Sequence, residues 1–106
     1  MSNSSNVLAP EGLIDNAGGT QLRREVSDLI DAGIETVLID FTNITFMDSS
    51  GLGAMVATLQ RVRTKGANLY LCSLNDQVKM IMELTKMDKV FDVLTDRAAF
   101  DITMEN

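Results

Sequence analysis

The sequence predicts an α/β domain with a mostly parallel sheet, and three observations support this class. Apolar runs of strand length alternate along the chain with segments whose apolar residues recur at the helical period. The run 36–41 is almost uninterrupted and rich in β-branched residues, which is typical of a central parallel strand buried on both faces. The chain has 106 residues, the size of one domain. We therefore expect a single domain over residues 1–106, with the polar residues 1–6 frayed.

The first half of the chain supplies the first strands and the first helix. The short apolar run 7–9 predicts one strand, and brief apolar steps follow at 12–15 and 44–47. Residues 20–32 are expected to form a helix that stops at Gly33. One face of this segment is apolar at the helical period, and it comprises Leu22, Val26, Leu29 and Ile30.

The second half of the chain continues the alternation of helices and strands. Apolar positions at the helical period predict two further helices, and Gly66 stands where the first of them should end. Two apolar runs of strand length predict two further strands. The expected helices cover 50–64 and 76–86, the strands 68–73 and 89–94, and a short final helix 97–104.

Composition excludes several classes of partner. The net charge of −6 argues against binding to nucleic acid or to an anionic membrane, because either needs Lys and Arg to neutralise phosphates. No stretch approaches the ~18 apolar residues that span a bilayer, and the start of the chain does not resemble a secretory signal. The single cysteine, Cys72, lies in an apolar run and is interpreted as a small buried hydrophobe. We expect a cytoplasmic protein with no direct nucleic-acid contact and no membrane insertion.

The segment Asp48-Ser-Ser-Gly-Leu-Gly53 stands where a loop turns into the predicted helix 50–64. Its plainest interpretation is a helix cap, because Asp and Ser oxygens accept hydrogen bonds from the unpaired N–H groups of a first turn. Gly51 and Gly53, however, each cost about 1 kcal/mol against alanine inside a helix. A close approach of another backbone or of a ligand would favour them, because glycine has no Cβ. On the residues alone, a cap and a contact site both stay open.

Catalytic motifs are absent from this segment. A nucleophile elbow has glycine two residues before its serine, whereas Met47 stands there for Ser49 and Asp48 for Ser50. The chain has no phosphate-binding loop of the Gly-Lys-Ser/Thr type. It also has no histidine, which removes Ser-His-Asp and Cys-His catalysis and His-containing zinc sites. Paired carboxylates could still perform acid–base chemistry, but no apolar pocket with two convergent carboxylates can be read from the sequence. We therefore assign no catalytic residue, metal site or cofactor.

Three stretches together resemble the bacterial anti-sigma-factor antagonists, the STAS domain family. They are Val37-Leu-Ile-Asp-Phe, Ile44-Thr-Phe-Met-Asp-Ser-Ser-Gly-Leu-Gly53 and Lys65-Gly-Ala-Asn-Leu-Tyr-Leu-Cys72. Gly12-Leu-Ile-Asp15 matches the Gly-x-Leu-Asp turn of that family. The resemblance implies a four- or five-stranded, mostly parallel but mixed sheet covered by helices, in a protein that is not an enzyme. Family members usually have two strands before the Gly-x-Leu-Asp turn, and the residues before Gly12 leave room for one.

The resemblance also implies a phosphorylation site and its partners. In the family the serine directly after the aspartate is phosphorylated, and in this sequence that serine is Ser49. The implied kinase is also the anti-sigma factor and is of the histidine-kinase-like ATPase type, and a PP2C-type serine phosphatase reverses the modification. The unphosphorylated form binds the kinase and displaces the sigma factor. The implied partner-facing residues are Asp15, Asp48, Ser49, Ser50, Gly51, Leu52 and Gly53.

Two alternative functions differ from this switch. The first is a constitutive STAS-type structural subunit of a transporter or sensory complex, which would take up no phosphate. The second is a receiver-like domain with Asp40 as the phosphate acceptor. Receivers need an early acidic pair for Mg²⁺, and no adjacent acidic pair precedes Asp40. Asp40 is therefore interpreted as a turn residue at a strand end.

Overall fold

The computed structural model describes residues 4–105 of the chain. Strands and helices alternate within that range. The strands are β1 (Ser5–Leu8), β2 (Gly12–Ile14), β3 (Thr36–Asp40), β4 (Ile44–Met47), β5 (Asn68–Cys72) and β6 (Asp92–Leu94). The helices are α1 (Asn16–Asp31), α2 (Ser49–Thr64), α3 (Asp76–Leu84) and α4 (Arg97–Met104), with a short 3₁₀ helix at Met87–Lys89.

The strands form two sheets. The larger sheet has the order β1-β3-β5-β6, and the smaller sheet pairs β2 with β4. All the described strand pairs are parallel. β3 lies inside the larger sheet and is buried along its whole length, as its apolar run predicts. The predicted α/β class, with a mostly parallel sheet covered by helices, is therefore confirmed.

The larger sheet separates two apolar clusters. On one face residues of α1, α2 and α3 share an apolar cluster with Val37 and Ile39 of β3. On the other face Leu38 and Cys72 pack with Phe100 of α4. Burial raises the pKa of the Cys72 thiol, and its interpretation as a small buried hydrophobe is confirmed. None of these helices in residues 4–105 is long and apolar enough to cross a membrane.

The beginning of the chain is more ordered than the sequence predicts. Ser5 and Asn6 belong to β1, so the expectation that 1–6 is frayed is wrong for these two residues. Their polar side chains do not matter for this pairing, because the backbone of β1 makes a ladder with β3 that begins with Ser5 beside Thr36. Residues 1–3 lie outside the described range.

α1 also begins earlier than predicted, at Asn16 rather than at 20, because Asp15 caps it. The first turn includes Gly19, a poor helix former. A Cβ at Gly19 would lie only 2.6 Å from the Cβ of Ala54 in α2. The glycine therefore lets the beginnings of α1 and α2 approach each other.

The chain between α3 and β6 differs from the predicted helix 76–86 and strand 89–94. α3 ends at Leu84, and Lys86 then has a positive φ of 65°, which takes the chain out of the helix. The 3₁₀ helix occupies the first residue predicted for the strand, and β6 is shorter than expected. Phe91 is buried in the core, so the chain turns inward where an extended strand was predicted.

Candidate functional site

The two strands of the small sheet bring the beginnings of two helices together. β2 and β4 are parallel, and their last residues, Ile14 and Met47, are paired. The next residues along the chain are Asp15 and Asp48, which therefore lie at the same edge of the sheet. The backbone N–H of Asp48 donates a hydrogen bond to the carbonyl of Ile14, with an N–O distance of 3.3 Å. α1 and α2 consequently start side by side.

Asp15 and Asp48 make the same capping interaction. Each accepts a hydrogen bond on Oδ1 from the backbone N–H of the residue three positions later, which is Gly18 for Asp15 and Gly51 for Asp48. Both N–O distances are 2.8 Å. Each carboxylate thereby satisfies an unpaired donor of a first helical turn. The helix-cap interpretation of Asp48 is therefore confirmed.

The environment of Asp48 favours its charged form. The backbone N–H of Gly51 lowers the pKa of this carboxyl most, followed by the hydroxyl of Ser50. The Ser50 Oγ donates to Asp48 Oδ1 across 2.8 Å. Both donors bind the carboxylate more strongly than the neutral acid and therefore favour the charged form. A negative charge therefore stands beside Ser49 at neutral pH.

The two serines of the segment are in different situations. Ser49 is the first residue of α2 and is exposed. Within residues 4–105 no hydrogen bond involves its hydroxyl, whereas the hydroxyl of Ser50 is engaged by Asp48. The Ser49 hydroxyl is therefore available to a partner protein without the loss of an internal hydrogen bond, whereas the Ser50 hydroxyl is not. The structure thus distinguishes the two neighbouring serines by their surroundings.

The two glycines of the segment are also in different situations. Gly51 is buried, and a Cβ there would overlap the carbonyl oxygen of Ile14. Close approach of another backbone therefore accounts for Gly51. Gly53 is exposed, and a Cβ there would meet nothing within 4 Å. Internal packing thus gives no reason for a glycine at residue 53.

The predicted partner-facing residues divide into a surface group and a supporting group. Leu52 is only 5% exposed and packs into the core, and Gly51 lies against β2. These two residues fix the segment to the core and to β2. The residues of the predicted set that reach the surface, wholly or in part, are Asp15, Asp48, Ser49, Ser50 and Gly53.

Gln77 of α3 supports the site, and sequence reasoning missed it. Its side-chain Oε1 accepts from the N–H of Met47, and its Nε2 donates to the carbonyl of the same residue, both across 2.8 Å. The carboxamide thus pairs with the free edge of β4 as a neighbouring strand would. This contact fixes the strand directly before Asp48. A glutamine in a helix carries no sequence signal for such a role.

Asp40, the acceptor of the receiver alternative, has a structural role. It is 5% exposed and ends β3. Its Oδ1 accepts from both the backbone N–H and the hydroxyl of Thr42, at 2.9 and 2.6 Å. Arg97 of α4 lies 3.8 Å from its other oxygen. These contacts agree with the interpretation of Asp40 as a turn residue at a strand end.

Known proteins are similar to this chain in sequence. The family model of the STAS domain matches residues 3–99. BtrV of Bordetella bronchiseptica, described as a candidate anti-sigma factor antagonist, is 26% identical over 89 residues, which cover 84% of this chain and 77% of BtrV.

Solved structures show the same fold. A candidate anti-sigma factor antagonist from Thermotoga maritima superposes with a TM-score of 0.86 at 18% identity, over 96% of this chain and 88% of that one. The anti-sigma factor antagonist SpoIIAA has a TM-score of 0.71 in its unphosphorylated form, at 19% identity over 97% of this chain and 92% of that one. The phosphorylated form of SpoIIAA, from Bacillus, has the same TM-score at 20% identity, over 97% of this chain and 94% of that one. With its family model matched over almost the whole described range, the chain belongs to the STAS domain family.

Proposed function

We propose that this chain is an anti-sigma factor antagonist that works by partner switching. In its unphosphorylated form it binds an anti-sigma factor, and phosphorylation of Ser49 releases that partner. The observation that carries the proposal is the exposed hydroxyl of Ser49, which has no hydrogen-bond partner within residues 4–105 and begins α2 beside the cap Asp48. The protein itself is a regulator and not an enzyme.

Its partners follow from the same proposal. The anti-sigma factor is also the serine kinase and is of the histidine-kinase-like ATPase type, and a PP2C-type phosphatase restores Ser49. Relatives named anti-sigma factor antagonists support an anti-sigma factor as the partner. SpoIIAA, which has the same fold, is known in unphosphorylated and phosphorylated forms. We expect the exchange to take place in the cytoplasm, where the kinase finds ATP.

A phosphate on Ser49 would act through charge. It adds roughly −1.5 to −2 charges at neutral pH to an edge that already carries Asp15 and Asp48. In a desolvated interface, an unpaired charge costs several kcal/mol. Since about 1.4 kcal/mol corresponds to a tenfold change in affinity, that cost is enough to release the partner.

Phosphate mapping tests the proposal. The chain is incubated with its purified cognate kinase and ATP, and the modified residue is located by mass spectrometry. We expect one phosphate, on Ser49. Ser49→Ala should abolish uptake, and Ser50→Ala, the matched control at the neighbouring hydroxyl, should largely retain it.

Two results would contradict the proposal. Phosphate on Ser50 or on another residue would refute the assignment of Ser49. Absence of uptake together with stable binding would favour a constitutive STAS-type structural subunit of a transporter or sensory complex.

A further inference from the structure

Two large apolar side chains lie exposed beside the candidate phosphorylation site. Leu13 of β2 is 58% exposed and Phe46 of β4 is 46% exposed. The two residues are partners in the register of the small sheet, so we call them the apolar pair. Each immediately precedes the last residue of its strand, and these last residues lead into the caps Asp15 and Asp48. The apolar pair therefore adjoins the candidate site.

The geometry of the small sheet explains why the apolar pair is exposed. Ile14 and Met47, the next residues in the two strands, are buried in the core. Successive side chains of a strand point to opposite faces, so Leu13 and Phe46 point away from Ile14 and Met47 at this end of the small sheet. Within residues 4–105 no element covers them enough to bury them. Adjacent exposed apolar side chains of this size are typical of protein–protein contact sites.

α3 extends the apolar surface on the other side of β4. Gln77 binds the backbone of Met47, so this flank of α3 lies against the edge of β4. Met80 follows Gln77 by three positions, on the same flank of the helix, and is 53% exposed. An apolar contact surface could therefore run from β2 across β4 to α3.

The charges around the apolar pair indicate which partner fits. Asp15 and Asp48 stand at the ends of its two strands. A cleft of about 250 Å³ between β2 and α1 is lined by Leu13 and also by Glu11 and Glu25. The apolar pair is thus bordered by carboxylates on more than one side. A complementary surface is apolar at its centre and carries Lys or Arg around it.

We propose that the apolar pair is the anchor by which the unphosphorylated chain holds its anti-sigma kinase, through an apolar patch of the kinase surrounded by basic side chains. The inference rests on the proposed function and identifies where the affinity comes from. A few residues buried near the centre of an interface, with aromatic side chains prominent among them, supply most of its binding energy. The charge on phosphorylated Ser49 then prevents the kinase from binding to the apolar pair.

Binding measurements on matched variants test the inference. The purified cognate kinase is titrated calorimetrically with wild type, Leu13→Ala, Phe46→Ala and Ile102→Ala. Ile102 is 63% exposed on α4, which packs on the opposite face of the larger sheet, so it is a control for loss of an exposed apolar side chain. We expect Phe46→Ala to weaken binding by roughly tenfold or more, Leu13→Ala to weaken it by several-fold, and Ile102→Ala to change it by less than about twofold.

The outcomes separate this inference from the proposed function. If wild type does not bind the kinase, both fail. If wild type binds and the two variants of the apolar pair bind as tightly as wild type, only the inference fails. Thermal melting of each variant establishes that it is folded. If Phe46→Ala does not fold, Leu13→Ala, at the more exposed position, tests the inference instead. If wild type is a dimer that Phe46→Ala converts to a monomer in sedimentation, a second copy occupies the surface and the inference is wrong.

Discussion

Gly51 of α2 lies so close to the carbonyl oxygen of Ile14, at the end of β2, that any side chain at residue 51 would overlap that oxygen. The hydrogen bond from the N–H of Asp48 to the same carbonyl adds a second link between the two segments. The candidate site is therefore built on a junction in which backbone meets backbone. Such a junction leaves the segment little freedom to shift when a partner binds or leaves.

Substitution of Gly51 should therefore destabilise the domain. In Gly51→Ala the new Cβ forces β2 and α2 apart, and overpacking of this kind costs about 1–3 kcal/mol of unfolding free energy. Urea unfolding measures the loss. A Gly51→Ala protein as stable as wild type would show that the close contact with Ile14 does not exist.

Gly53→Ala is the matched control and should behave in the opposite way. Its Cβ meets nothing within 4 Å, so the better helix former should raise the unfolding free energy by roughly 0.5–1 kcal/mol. We also expect weaker binding to the kinase, because internal packing does not require a glycine there and a docked partner would. Wild-type affinity in the stabilised variant would remove Gly53 from the contact surface.

The acidity of Asp48 should depend on Ser50 and not on Ser49. The pKa of Asp48 is held below its ordinary value of 3.8 by the N–H of Gly51 and by the hydroxyl of Ser50. Ser50→Ala removes the second donor, so the pKa should rise part of the way towards 3.8. Ser49→Ala, which removes a hydroxyl that makes no hydrogen bond within residues 4–105, should leave the pKa of Asp48 unchanged. Carboxyl carbon shifts followed by NMR through an acid titration give both values.

The same pKa fixes the sign of one pH effect on stability. A carboxyl whose pKa is lowered by folding stabilises the folded state fully above its unfolded value, here 3.8. That contribution is lost as the pH falls through the lower folded-state value. Asp48→Asn should therefore reduce the acid dependence of unfolding below about pH 4. An unchanged acid profile would mean that Asp48 is not held in its charged form by the cap.

The sequence was sufficient to predict the cap of α2, because capping is local chemistry. Asp48 and Ser49 stand at a loop-to-helix transition that can be recognised without any tertiary contact. The early start of α1 was missed because Gly19 disfavours a helix when considered alone. Its reason is the neighbouring Ala54, which only the packed structure brings there.

The surroundings of the site could not be predicted either, because they depend on tertiary contacts. Gln77 reaches the backbone of Met47 from 30 positions further along the chain, and no local pattern indicates that contact. Leu13 and Phe46 look like core residues in the sequence. They are exposed at the end of the small sheet, where the residues that follow them, Ile14 and Met47, enter the core. Which apolar residues are exposed depends on how the strands are placed in the fold, and the apolar pattern of the sequence does not give that placement.

Phosphorylation of Ser49 should leave the fold intact. The unpaired N–H groups at the start of α2 favour an anion by about 0.3–1 kcal/mol, and the nearby carboxylate of Asp48 opposes it. These opposing effects should keep the change in unfolding free energy below about 1 kcal/mol, a melting shift of no more than about 4–8 °C. Thermal melts and amide NMR spectra of the two forms check this. Shifts spread across the larger sheet would show that the switch acts through the fold.

The central claim, that the charge at Ser49 controls binding, is tested most directly by the affinity of the purified cognate kinase for four forms of this chain. They are the unphosphorylated wild type, the phosphorylated wild type, Ser49→Ala and Ser49→Asp, all compared by calorimetry. We predict tight binding by the unphosphorylated wild type and by Ser49→Ala, weaker binding by Ser49→Asp, and a loss of far more than about tenfold in the phosphorylated protein. Equal affinities for all four forms would contradict the account, because the charge at Ser49 would then control nothing.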